Sequence, residues 1–495
     1  MSDRKRDGTQ IILMIVLSLL TQIAVLSRSS LVASIFGASY EMDAFNFANS
    51  IVSFVFGFIT SGIMTIVLPE YVKNPKEKKI NAFISFVYAI VILLIAIIFV
   101  LRYQILSLAT NRDELFIGLA SSALGVLLVS NSISSISSLA IAYSQSRGNF
   151  VTPKVISLIS QLLILSSLIL IRDNITIYLY ALIISCGLIF DSSLNIFLSI
   201  RHGWRFYPTF SIKNKETREL ISRFLPLVFS AGVYQVSLFV DSIIATSLEV
   251  GKITILGYSS QIVGMINSVI IANLTAYFYP RIIKRVSEGA KQEYFWNLTG
   301  ILHLLTCLLI CGFLTIGNEG ITLIFQHGMF DKHITNMVFY GASIYMIGQQ
   351  VNIVRDLIYK YFYANGNTKT PVKNSVIISA MNIIISIILV RYIGFYGIII
   401  GTVCSSIISL IVILIRFNHF YVLQVPFKSI LTMYMRDIIV SFLSVVSVLI
   451  VKKYISLHNI ILEIVVYGFI TLLCFGLFSL LLCRQLLTSY KKINN

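Results

Sequence analysis

The chain has 495 residues, 57% of them hydrophobic and only 12% charged. That balance excludes a soluble globular fold, in which about a quarter of the residues carry charge. Lys and Arg outnumber Asp and Glu by 38 to 21, a net charge of +17, which would suit a nucleic acid were it not for where those charges fall.

In chain order, Arg4, Lys5 and Arg6 precede an apolar stretch with no small-residue cleavage site after it. The stretch is too long for a signal-peptide core and reads as a retained first span. A helix needs about 20 apolar residues to cross the hydrocarbon, and the pattern predicts fourteen such helices. The first six cover 10–36, 44–69, 80–101, 116–143, 155–171 and 175–200. A polar segment, 201–223, follows, and then 224–248, 253–280, 295–316, 336–364, 374–390, 395–415, 437–451 and 460–483. Helices are the only open-chain structure that satisfies its own backbone in lipid. The expected organisation is an all-α polytopic membrane protein: a six-helix lobe over 1–200, a cytoplasmic linker over 201–223, a second six-helix lobe over 224–416, and two additional helices with a cytoplasmic tail over 417–495.

With the N-terminus inside, most Lys and Arg fall in inner segments, including the cluster Lys73, Lys76, Lys78 and Lys79. The positive-inside rule accounts for that asymmetry. The basic excess therefore reports orientation in the bilayer and contact with anionic lipid, and no nucleic-acid partner is expected.

An internal repeat is visible. Gly148-Asn149-Phe150-Val151-Thr152-Pro153 follows the fourth span, and Gly366-Asn367-Thr368-Lys369-Thr370-Pro371 the tenth. Leu68-Pro69-Glu70-Tyr71-Val72-Lys73 ends the second, and Tyr279-Pro280-Arg281-Ile282-Ile283-Lys284 the eighth. Both pairs are six spans apart, so the lobes share one topology and would relate by a pseudo-two-fold axis along the membrane normal, with a cleft between them for a substrate.

Polar residues within spans are each a site hypothesis. Arg28 offers a bidentate fork suited to phosphate; a pair with Asp43 across the outer turn is its structural alternative. Gln22, Asn49 and Gln261 are neutral hydrogen-bonders. Asp241 either holds a proton or cation, with Asn382, Ser386 and Thr402 as oxygen ligands, or is a packing residue. Arg355 and Asp356 point to different faces of one helix and are expected to snorkel rather than pair with each other. Six cysteines lie in apolar helices without a Cys-x-x-Cys pair, and Cys307 and Cys311 read as small core residues. Six scattered histidines show no metal-ligand spacing. With no phosphate-cradling loop and no catalytic constellation, the chain is expected to be no enzyme and to need no cofactor. Its drive would come from Na+ or H+, the membrane potential or the substrate's own gradient.

Several stretches resemble the MviN/MurJ lipid II flippases. Ser27-Arg28, Ile35-Phe36-Gly37-Ala38, Asp43-Ala44-Phe45-x-x-Ala48 and Leu68-Pro69 are similar to the opening of that family. Phe325-Gln326-His327-Gly328-Met329-Phe330-Asp331 and Thr368-Lys369-Thr370-Pro371-Val372-Lys373 resemble its later junctions. The resemblance implies the fourteen-helix fold of the multidrug/oligosaccharidyl-lipid/polysaccharide exporter superfamily, alternating access, and a lipid-tail groove at the last two helices. It places Arg28 on a cavity arginine and Asp43 on an outer-turn aspartate. The chain departs from the family where Phe56 and Gly57 replace arginines, Gln261 replaces another, Ser61-Gly62-Ile63 stands for Glu-Gly-Ala, and Ser29 stands for an acid.

The expected function is a flippase of the bacterial plasma membrane, with both termini cytoplasmic. It would move an undecaprenyl-diphosphate-linked saccharide, lipid II or a related cell-wall or exopolysaccharide unit, from the inner to the outer leaflet. Substrate would be bound by Arg28, Gln22, Asp43, Asn49 and Gln261, with Asp241, Asn382 and Thr402 as ion-coupling residues. Partners would be the polyprenyl-diphosphate-linked saccharide, the lipid bilayer and enzymes of wall or polysaccharide synthesis. The alternatives are a cation-coupled multidrug exporter of the same superfamily and a non-transporting scaffold of a polysaccharide assembly complex.

Overall fold

A computed structural model describes residues 2–73, 78–209, 214–268, 292–455 and 457–483. Among the described residues there is no strand. The helices are α1 (Ser2–Phe36), α2 (Tyr40–Lys73), α3 (Lys78–Val100), α4 (Arg102–Ala109), α5 (Glu114–Ser146), α6 (Val151–Leu170), α7 (Ile177–Arg201), α8 (Lys215–Thr246), α9 (Lys252–Ile266), α10 (Gln292–Phe325), α11 (Lys332–Ala364), α12 (Lys369–Ile393), α13 (Phe395–Tyr421), α14 (Phe427–Tyr454) and α15 (Ile460–Leu482).

All but α4 correspond to an expected span. Among the described residues, ten helices are long and apolar enough to cross a membrane; α11 is an expected span not among them, and α2, α8 and α9 correspond to spans only partly described. α4 was not expected, and it packs on α5. Two boundaries also differ. α14 begins at Phe427, so Asp437 lies inside the helix and not at its start. α8 begins at Lys215, within the segment read as linker. Both extensions are polar helix ends, which a hydropathy pattern does not register.

The chain divides into two compact units, Met1–Thr254 and Ile255–Asn495. In the first, α2 packs on α5 and α8, α5 on α7, and α1 on α6. Small residues make the α5–α7 approach possible, and hydroxyls stitch it. Ser130 Oγ donates to Ser185 Oγ at 3.1 Å, and Ser199 Oγ to the Ala140 carbonyl at 3.0 Å. In the second, α12 pairs with α13, α11 with α13 and α10, and α10 with α14 and α15. Its main core is aromatic: Phe295, Trp296, Tyr361, Phe362 and Phe417. Outside these cores, α3 and α15 expose Ile92, Leu93, Phe469 and Leu480, apolar faces that suit lipid.

The first repeat pair becomes the same turn twice. Gly148 and Gly366 hold φ of 77° and 76°. Asn149 N–H donates to the Ser144 carbonyl and Asn367 N–H to the Phe362 carbonyl, both at 3.0 Å. Each asparagine side chain then caps the next helix, accepting from Thr152 N at 3.2 Å and Thr370 N at 3.1 Å. In the second pair, Tyr279–Lys284 lies outside the described residues.

Candidate functional site

Arg28 sits on α1 where that helix meets α6. One guanidinium nitrogen donates to Gln161 Oε1 at 2.9 Å, while Nε is buried with no acceptor. A buried donor left unmade is costly, so this fork holds capacity for an anionic oxygen. The alternative, a pair with Asp43, does not form among the described residues.

Asp43 is used differently. It is 1% exposed and holds the start of α9: Oδ2 accepts from Gly251 N at 2.6 Å, and Oδ1 from Thr254 N at 2.8 Å and Thr254 Oγ1 at 2.7 Å. Gly251 is required twice over. Its φ is +89°, and a Cβ would lie 2.7 Å from the Ala38 carbonyl oxygen. At the other end of the same turn, Arg112 donates to the Thr246 carbonyl at 2.9 Å and the Leu248 carbonyl at 2.5 Å. A carboxylate thus faces a helix N-terminus and a guanidinium a helix C-terminus, the arrangement the helix dipole favours. In this place Asp43 organises backbone; it does not present a free carboxylate to a ligand. Sequence reasoning missed Arg112, because its acceptors are carbonyls distant in the chain.

Gln22 is half-buried on α1, and Asn49 is exposed on α2. Where the resembling family has an arginine, Gly57 lies against Gln235 of α8, and a Cβ there would sit 2.5 Å from the Gln235 amide nitrogen. A neutral amide fills that space.

Asp241, on α8 of the first unit, is 3% exposed. In the second unit Asn382, Ser386 and Thr402 come together: Asn382 Oδ1 accepts from Ser386 Oγ at 3.2 Å and from Thr402 Oγ1 at 3.3 Å. Gln261 is half-buried on α9. Among the described residues no three His, Cys, Asp or Glu side chains are arranged to hold a metal ion.

Arg355 and Asp356 correct an expectation. They pair, with Nε and Nη2 of Arg355 donating to Asp356 Oδ1 at 3.1 and 3.0 Å. The long arginine side chain curls back along the helix surface, which Cβ directions do not reveal. A further polar pair went unseen in the sequence: His303 Nδ1 lies 2.7 Å from Asp437 Oδ2.

Comparison with known proteins gives four likenesses. The family described as lipid II flippase MurJ matches residues 32–471. A protein of Borreliella burgdorferi named probable lipid II flippase MurJ is 23% identical over 422 residues, covering 81% of this chain and 82% of its own. Among solved structures, lipid II flippase MurJ in an inward closed conformation superposes with a TM-score of 0.77 at 21% identity, over 96% of this chain and all of that one. An inward-facing multidrug resistance MATE family transporter of the MOP superfamily follows at 0.65 and 12%, over 81% of this chain and 94% of its own.

Proposed function

We propose, from the premise that this chain belongs to the lipid II flippase MurJ family, that it moves lipid II from the inner to the outer leaflet of the bacterial plasma membrane by alternating access. The observation that carries the reading is the family match over residues 32–471. Moving a diphosphate and its sugars through hydrocarbon unaided would cost on the order of tens of kcal/mol. Arg28, with a buried Nε still unpartnered, is the group proposed to meet the diphosphate. Gln22, Asn49 and Gln261 would offer neutral hydrogen bonds to sugars, and Asp43 would serve by holding the turn before α9. Asp241 in the first unit, and separately Asn382 with Thr402 in the second, are the proposed residues for coupling to Na+ or H+. Both termini are proposed to be cytoplasmic, with wall-synthesis enzymes as neighbours on the substrate's path.

The multidrug and scaffold readings are not favoured. Likeness to a MATE transporter at 12% identity speaks to fold alone, and an arginine with donors to spare suits an anion rather than a cationic drug.

The test is flipping of labelled lipid II by the reconstituted protein. Wild type transports; Arg28→Ala loses at least about tenfold in rate, as expected for one charge-assisted contact of about 1.4 kcal/mol or more, and keeps its thermal midpoint. Undiminished transport by Arg28→Ala removes that residue from the site, and no transport by wild type removes the reading.

A further inference from the structure

The last two helices fall outside the internal repeat, and a buried polar cluster fastens them to α10. Asp437 of α14 is 0% exposed and His303 of α10 is 3% exposed. His303 Nδ1 and Asp437 Oδ2 are 2.7 Å apart, and Cys483, just past α15, donates from Sγ to Asp437 Oδ1 at 3.4 Å. Cys307 Sγ is 3.9 Å from His303 Nδ1, and the Tyr434 ring lies edge-on to the imidazole at 4.8 Å.

Four helices bring titratable or charged groups near the pair, and Glu293 and Lys428 line the cavity beside it. α10 contributes Cys307 and Cys311; α14 contributes Tyr434 and the adjacent Arg436; α15 leads into Cys483. α11, the other helix packed on α10, carries Arg355 and Asp356, which are paired with each other, and Lys360. Among the described residues, the ion-pair partner of Asp437 is His303.

The cluster also has a way out. A cavity of about 570 Å³ lies at the start of α14, lined by Trp296, Lys428, Met433, Arg436 and Cys483 among others. Cys483 therefore stands between this space and Asp437, touching both.

From this geometry we propose that His303 and Asp437 form a proton-exchange site, separate from Asp241, that loads and unloads through the cavity past Cys483. With one shared proton the pair is neutral; released, the proton leaves to water in the cavity and the pair carries one negative charge. Charge at such a depth in a membrane helix is strongly disfavoured, so release weakens the joint between α10 and α14. The site thereby makes the transport cycle sensitive to pH, and that consequence rests on the flippase reading above.

The experiment measures lipid II flipping in proteoliposomes across about pH 6 to 8, the range an imidazole spans, for wild type, His303→Gln and Asp437→Asn. Wild type is expected to change by up to about tenfold per pH unit, the limit for one exchanged proton, and both variants to flip with less than about a twofold change over the range. Variants that keep the wild-type pH dependence overturn the proposal. Infrared difference spectra supply a readout that needs no transport: a carboxyl or imidazole signal should change as pH falls in the wild-type protein and be missing from Asp437→Asn, which separates it from Asp241. Carboxyl and imidazole signals that both stay constant over this range, or that change equally in Asp437→Asn, overturn the proton site, whereas absent flipping by wild type at every pH, with the spectral change present, overturns only the flippase reading.

Discussion

Asp43 and Arg112 show how much a single side chain can do when it meets a helix end. Asp43 satisfies three donors at the start of α9, and each hydrogen bond to a charged group contributes about 1.5–3 kcal/mol. Asp43→Ala would leave those donors orphaned at a buried site. The expected loss is about 3 kcal/mol or more, read as a lower thermal midpoint in detergent. Arg112→Ala removes two bonds from a less buried guanidinium, and the loss should be smaller, about 1–2 kcal/mol. Equal losses from the two substitutions would mean the turn is not held as described. The contrast with Arg28 is instructive. That side chain was legible in the sequence because an arginine in an apolar run has no local excuse. Asp43 was legible as a polar residue at a turn, but its partners lie more than two hundred residues on, beyond anything that spacing can reveal.

At the scale of elements, the sequence was most readable where structure is local. The two Gly-Asn turns share a φ near 76° and the same pair of asparagine bonds because glycine freedom and asparagine capping are local physics. Gly148→Ala and Gly366→Ala should each cost about 1–2 kcal/mol, the price of a Cβ in the left-handed region. Nothing lies within 4 Å of an added Cβ at either position, so the two losses should match within error in thermal unfolding. A marked inequality would show that the turns are alike in sequence only. Gly397 is different in kind: a Cβ there would lie 2.5 Å from the backbone of Leu389 and Val390. Gly397→Ala must push α12 and α13 apart, and a larger loss, about 3 kcal/mol, is expected. The sequence was least readable where polar helix ends extend past the apolar run, as at α8 and α14. There the His303–Asp437 pair stayed hidden, because Asp437 looked like the edge of a span.

For the molecule as a whole, composition alone settled the class, since so few charges cannot cover a soluble core. What composition leaves open is how many helices cross. Among the described residues ten pass by length and apolarity, and fourteen are expected from the pattern. The difference bears on α11 in particular. α11 has 33 residues, about 50 Å of helix, ample for a crossing. Its burden is Arg355 and Asp356, each costing about 2.5–3.5 kcal/mol alone on insertion scales. Paired as they are, they bring no net charge, and the crossing becomes affordable. Reporter fusions turn this into a measurement. With the N-terminus inside and every expected span crossing, alkaline phosphatase fused after Arg112 and after Lys332 is active, and after Gly148 and Gly366 it is silent. If α2 does not cross, the reporter after Arg112 falls silent. If α11 does not cross, the reporter after Gly366 becomes active while that after Lys332 is unchanged. The second result would break the even spacing that gives the two Gly-Asn turns the same side of the membrane, and with it the like orientation of the repeats that the proposed alternating access uses.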